Sequence, residues 1–177
     1  MKKILLTLSM TALLLFTAGC SCPFSDKTAD SKPQMNTAAA SAAETAPDFS
    51  YKELGSGKTM RLSDLKGKPV FINFWATWCP PCVGELPHIE KKYSEYKDRM
   101  HFVILSVDDN EQEPARFIQS KGYTFPAAYG DHQELGRAYG IDAIPASYII
   151  SADGHIVARI VGSMNESSLD AFLQKAF

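Results

Sequence analysis

Cys79 and Cys82 stand two residues apart in "NFWATWCPPCVGE", Asn73 to Glu85, while the other two of the four cysteines, Cys20 and Cys22, lie near the start of the chain. A pair at this spacing serves one of three chemistries: half of a zinc site, a short structural disulfide, or a dithiol that exchanges electrons. A structural zinc site takes four ligands, commonly two such pairs or one pair with two histidines. No second pair is present, and His88, His101, His132 and His155 are scattered through the sequence, where they read as surface or loop residues rather than ligands. No metal is expected on this reading. A disulfide closing so short a loop removes little unfolded-chain entropy and would staple almost nothing.

Reactivity makes more sense of the spacing once the flanking elements are considered. "PVFINFWA", ahead of the pair, is a continuous apolar run of buried-strand length. After it, Leu86, Ile89, Tyr93 and Tyr96 recur three or four apart among charges, the pattern of one helix face from about 80 to 97. Cys79 therefore falls where a strand ends and a helix begins, beside unpaired N–H groups and the positive end of the helix dipole, which favour thiolate. Pro80 suits the first helical turn, where its missing donor costs nothing. Cys82, one turn in, can attack a mixed disulfide formed at Cys79.

The rest of the chain supplies a frame for that junction. "DFSYKEL" and "KTMRL" read as short strands around Gly55-Ser56-Gly57, with "LSDLKGK" as a tight helical turn. "HFVILSV" is a second buried strand, "EPARFIQSKG" a short helix ended by Gly122, "TFPAAY" an extended piece, and "HQELGRAYG" a helix stopped at Gly140. "ASYIIS" and "HIVARIVG" flank Ala152-Asp153-Gly154, a hairpin signal, and Asn165 caps a last helix with Leu169, Phe172 and Leu173 facing inward. Alternating strands and helices predict an α/β fold, a central mixed β-sheet flanked by helices on both faces.

Ahead of this domain, Lys2 and Lys3 precede an apolar run from Ile4 to Phe16, too short to span a bilayer stably and of secretory h-region length. It ends at "TAGCS", which resembles a bacterial lipobox, although Thr17 stands where leucine is most usual. That resemblance implies a lipoprotein signal peptide over 1–19, cleavage before Cys20 and lipidation of Cys20, the alternative being simple secretion. Residues 20–46 are small and polar without apolar periodicity and read as a flexible tether, leaving 47–177 as the folded domain. The formal net charge of −2 offers no broad basic surface, so neither nucleic acid nor anionic lipid is an expected partner by charge. Attachment to a membrane would rest on the lipid at Cys20. Outside the cytosol a dithiol becomes oxidised unless electrons are supplied to it.

From about Pro47 to Phe177 the chain closely resembles the thioredoxin superfamily, in particular its extracytoplasmic TlpA-like and ResA-like branch, on the strength of "FINFWATWCPPC". The resemblance implies a thioredoxin fold with N-terminal β-strands and a central helix/strand insert over Asn110 to Tyr129. Pro87 matches the proline of the active-site helix. Ile144-Pro145 matches the cis-proline loop that lies against the dithiol and offers backbone groups to a bound substrate strand. Trp78, Pro80, Ile144 and Pro145 are thereby the expected substrate-binding residues, with Trp78 on the rim that a partner covers and Trp75 in the core. Asn73 occupies the place of the thioredoxin aspartate and cannot titrate. Glu85 occupies the place of the ResA-like active-site glutamate, one turn beyond Cys82, where a carboxyl with a raised pKa would accept or return a cysteine proton. Ile144, in place of the usual threonine, makes the docking surface more apolar.

The resemblance implies a membrane-tethered thiol-disulfide oxidoreductase that reduces disulfides in exported proteins, in cytochrome c maturation or repair-enzyme reduction, through Cys79, Cys82 and Glu85. No cofactor is implied beyond the redox-active Cys79–Cys82 disulfide, and electrons would come from a membrane donor of the DsbD or CcdA type. Two other readings remain. One is an oxidase that donates its disulfide in the DsbA manner, since direction depends on reduction potential. The other is a copper-carrying thiol protein without turnover, disfavoured because such carriers generally use a wider CxxxC with a dedicated histidine.

Overall fold

A computed structural model describes residues 44–177; the expected signal segment 1–19, Cys20 and most of the expected tether lie outside the described residues. The chain runs β1 (Ser50–Glu53), β2 (Thr59–Arg61), a 3-10 turn (Leu62–Leu65), β3 (Val70–Trp75), α1 (Pro80–Tyr96), β4 (His101–Ser106), α2 (Gln112–Lys121), β5 (Ala127–Tyr129), α3 (His132–Tyr139), β6 (Ala146–Ile150), β7 (Ile156–Val161) and α4 (Glu166–Leu173). The strands form one seven-stranded sheet in the order β2-β1-β5-β4-β3-β6-β7. β3, β4 and β5 are parallel, while β6 opposes β3, β7 opposes β6 and β1 opposes β5. The expected mixed sheet is therefore present, and the insert has a definite role: its strand β5 widens the sheet so that the β1–β2 hairpin has an edge to join.

Every residue of β3 is buried because both sheet faces are covered, which is why its sequence reads as an unbroken apolar run. Successive side chains still alternate. Phe71 and Trp75 join the core under α1 with Leu86, Ile89, Leu169 and Phe172. Val70, Ile72 and Phe74 join the opposite core with Leu62, Leu135 and Tyr139. Asn73 lies between Phe71 and Trp75 and shares their face, toward α1. β6, paired antiparallel with β3, places Ser147 directly opposite Asn73 by the same alternation. Two polar residues thus face one helix from the centre of the sheet.

Helix ends fall close to their sequence signals. Gly122 and Gly140 close α2 and α3 in the left-handed conformation, at φ 68° and 59°, a region where a Cβ is disfavoured. Asn165 Oδ1 accepts the Ser168 N–H at 2.9 Å and caps α4. "TFPAAY" yields only a three-residue strand, which begins after Pro126. Ordered pairing also reaches back before the expected boundary at 47. The Glu44 carbonyl accepts from Ile156 N–H at 2.8 Å, and Ala46 N–H donates to the Gly154 carbonyl at 2.9 Å. Thr45 and His155 form an antiparallel bridge, and Ala46 is buried in the core. The free edge of the β6–β7 hairpin holds these residues, which carry no local pattern of their own.

Candidate active site

β3 ends at Trp75, and a short loop, Ala76 to Trp78, delivers Cys79 to the N-cap of α1. Pro80 and Pro81 fill the first two helical positions and bring no N–H. The first N–H that α1 offers is consequently that of Cys82, and it points at Cys79 Sγ from 3.3 Å. When the disulfide is reduced, that donor and the helix dipole favour a Cys79 thiolate. The two sulfurs are joined as a disulfide with the Cα atoms 5.3 Å apart. Cys79 retains 5% exposure against 1% for Cys82, so the first cysteine is the one a partner reaches.

The Ile144–Pro145 peptide bond is cis, and the Ile144 carbonyl oxygen lies 3.8 Å from Cys79 Sγ. Pro145 is buried, and its carbonyl accepts Gly162 N–H at 2.8 Å, which ties the loop to the end of β7. Trp78 stands out at 66% exposure, and Pro80 is also exposed. Trp78 and Ile144 line one groove with Val107, Asp109, His132 and Asp142. The four expected substrate-binding residues are therefore gathered about Cys79, with Trp78, Pro80 and Ile144 accessible and Pro145 beneath them. Trp75 is fully buried and packs against Phe117, with ring centroids 5.6 Å apart.

Glu85 is only 1% exposed, on the same buried side of α1 as Cys82 one turn earlier. Its Oε1 accepts Met164 N–H at 3.0 Å and its Oε2 accepts from Asn73 Nδ2 at 3.4 Å. Burial pushes its pKa up to about 7, and these two hydrogen bonds only partly oppose that rise. A carboxyl titrating there can hold or release a proton near neutral pH, as general acid–base work requires. Asn73 Nδ2 also donates to Ser147 Oγ at 2.9 Å.

A second buried carboxylate was not singled out from the sequence. Asp108, 2% exposed, accepts from Thr77 N–H at 3.1 Å, Thr77 Oγ1–H at 2.6 Å and Ser106 Oγ–H at 2.7 Å. It clamps the loop that carries Trp78 and Cys79. In "SVDDN" nothing local separates it from its exposed neighbour Asp109. Among the described residues, no group of three or more His, Cys, Asp or Glu side chains converges as a metal site.

Residues 41–173 match the Redoxin family. ResA of Bacillus thuringiensis, a thiol-disulfide oxidoreductase, is 37% identical over 73% of this chain and 75% of its own length. StoA from Bacillus subtilis superposes with a TM-score of 0.63 at 28% identity, covering 72% of this chain and 97% of StoA. The pneumococcal exposed lipoprotein thioredoxin from Streptococcus pneumoniae gives 0.64 at 27% identity, covering 73% and 99%. With its strand-to-helix dithiol, cis-proline loop and seven-stranded mixed sheet, the chain belongs to the Redoxin family of thioredoxin-fold proteins.

Proposed function

We propose that this protein is an extracytoplasmic, membrane-tethered thiol-disulfide oxidoreductase that reduces disulfides in exported proteins. The observation that carries the reading is Glu85, a buried carboxyl poised near neutral pH one turn from the resolving cysteine. The thiol-disulfide oxidoreductase relatives support the reaction class, and the lipoprotein thioredoxin supports the location.

In the reducing direction, the Cys79 thiolate attacks one sulfur of the target disulfide, and the target's other sulfur leaves as a thiolate that takes up a proton. Cys82 then gives its proton to Glu85 and attacks Cys79 Sγ. The Cys79–Cys82 disulfide forms, the bond to the target breaks, and the second target thiolate leaves, protonated in turn by Glu85. Two electrons have passed from the dithiol to the target, with one proton from Cys82 by way of Glu85 and one from solvent, and the dithiol has become a disulfide. A membrane donor of the DsbD or CcdA type would restore it. Trp78, Pro80 and the Ile144-Pro145 loop would seat the target strand, and Asp109 and Asp142 beside the groove favour a target segment carrying lysine or arginine. Apocytochrome c thiols and an oxidised repair enzyme are the candidate targets, and lipid at Cys20 the candidate anchor.

Cys82→Ser, produced in cells, tests the cycle: mixed disulfides between Cys79 and exported proteins should accumulate. Absence of such adducts, together with no effect of Cys79→Ser on exported thiols, would remove the exchange mechanism. The opposite direction, disulfide donation in the DsbA manner, follows instead if the measured potential lies near that of DsbA, about −120 mV.

A further inference from the structure

Three side chains from three elements meet beneath the dithiol: Asn73 of β3, Ser147 of β6 and Glu85 of α1, each 1% exposed. The hydrogen bonds among them describe one protonation state. Asn73 Nδ2 has two N–H bonds and gives one to Ser147 Oγ and one to Glu85 Oε2, while Asn73 Oδ1 is buried with no hydrogen-bond partner among the described residues. Glu85 accepts on both oxygens, as an ionised carboxylate does. A protonated Glu85 has an O–H to donate, and the Met164 N–H at Oε1 cannot receive it.

A half-turn of the Asn73 amide supplies the missing acceptor. Oδ1 then stands where Nδ2 stood, facing Glu85 Oε2 and Ser147 Oγ. It accepts the Glu85 O–H, and it accepts the Ser147 hydroxyl, which can donate as readily as it accepts. One end of the amide stays unpaired in either orientation, so the turn exchanges an unpaired carbonyl oxygen for an unpaired NH2 and in return pairs the Glu85 O–H. We propose that Asn73 and Ser147 are positioning residues for the proton transfer, an amide and a hydroxyl that reverse their hydrogen bonds as Glu85 gains and loses its proton. The proposal rests on Glu85 being the proton carrier of Cys82. It also explains why an amide suits this place in β3: an aspartate would set a second negative charge against Glu85, and a leucine would leave Glu85 Oε2 and Ser147 Oγ without the partner that Asn73 gives them.

The groups facing Glu85 come from every element around it. They are Asn73 from β3, with Ser147 of β6 bonded to it from behind, the Met164 N–H ahead of α4, and on α1 itself Cys82 one turn earlier. The charges where α1 meets α4 pair with one another, Lys91 with Glu166 and Lys92 with Asp170, and no described ion pair includes Glu85.

The test is a pH titration of the oxidised protein by NMR, in which neither active-site cysteine titrates. It follows the Glu85 carboxyl carbon and the Asn73 side-chain NH2 together. In the wild type the Asn73 NH2 resonances should move with the Glu85 midpoint, and in Glu85→Gln they should be flat across the same range. Asn73→Leu removes the donor to the ionised form and the acceptor of the protonated form together, so the Glu85 midpoint should move by less than about half a pH unit, whereas an amide that only donates would give a rise of about one unit. Asn73 resonances that ignore the Glu85 titration would overturn the proposal even if Asn73→Leu fails to fold, and so would a Glu85 midpoint raised by about one pH unit or more in Asn73→Leu. The Glu85 reading fails separately, if Glu85→Gln leaves the pH dependence of target reduction as it is in the wild type.

Discussion

Two carboxylates lie buried close to the elements that carry the dithiol, Asp108 against the loop after β3 and Glu85 on α1, and they are held differently. Asp108, just past β4, receives three donated hydrogen bonds from Thr77 and Ser106 and holds a loop in place. Glu85, equally buried on α1, receives two, one of them at 3.4 Å, and has its pKa raised to about 7. Burial alone therefore does not nominate a proton carrier. The number and quality of donated hydrogen bonds, and the neighbour one turn away, separate a strut from an acid–base group.

The sharpest way to break this contrast is to remove the strut. Asp108→Ala leaves the Thr77 N–H and two hydroxyls without their acceptor, and should cost about 4 kcal/mol of unfolding free energy in denaturant titrations. A loss below about 1 kcal/mol would show that the loop does not depend on it. Glu85→Gln should behave in the opposite way. Between 4.5, the ordinary carboxyl value, and about 7, folded Glu85 keeps a proton that the unfolded chain has released. The stabilisation it contributes is therefore complete below pH 4.5 and is lost as pH rises through 7, about 3 kcal/mol in all for the oxidised protein. Glu85→Gln should lack that slope, and Asp108→Ala should keep it. Equal slopes in wild type and Glu85→Gln would place Glu85 with Asp108 as a structural group.

Smaller effects are expected at the rim. Trp78→Ala removes the most exposed large apolar side chain beside Cys79 and should raise KM for a protein disulfide roughly 10-fold while leaving reduction of a small aromatic disulfide within about 2-fold. A parallel loss on both substrates would mean that Trp78 supports the loop, as Asp108 does, rather than the partner. Smallest of all, Asp142→Asn should change protein-substrate rates by no more than about 2-fold at physiological ionic strength, and more at low salt, because exposed charges are screened.

What was legible in the sequence follows the same division. The dithiol, its strand and its helix are local patterns, and so are the caps at Gly122, Gly140 and Asn165. Cys79, Cys82, Glu85, Trp78, Pro80, Ile144 and Pro145 were identified through a motif and a resemblance, and the fold brings them together. Asp108 escaped notice because its burial is set by Thr77, thirty-one positions earlier, and an acidic loop residue ordinarily reads as solvated. The Asn73–Ser147 bond depends on the β3–β6 register across seventy-four positions, which no local pattern encodes. The ordered start at Glu44 was hidden for a similar reason, since its partners lie in a distant hairpin rather than in its own alanine-rich sequence.

The proposed cycle turns on one step, the passage of the Cys82 proton to Glu85. Its most direct test is the pH dependence, from 5 to 9, of target-disulfide reduction by wild-type protein and by Glu85→Gln. The wild type should show a break near pH 7 that disappears in Glu85→Gln, whose rate should fall by about 10-fold or more at pH 7. Superimposable profiles for the two proteins would contradict it.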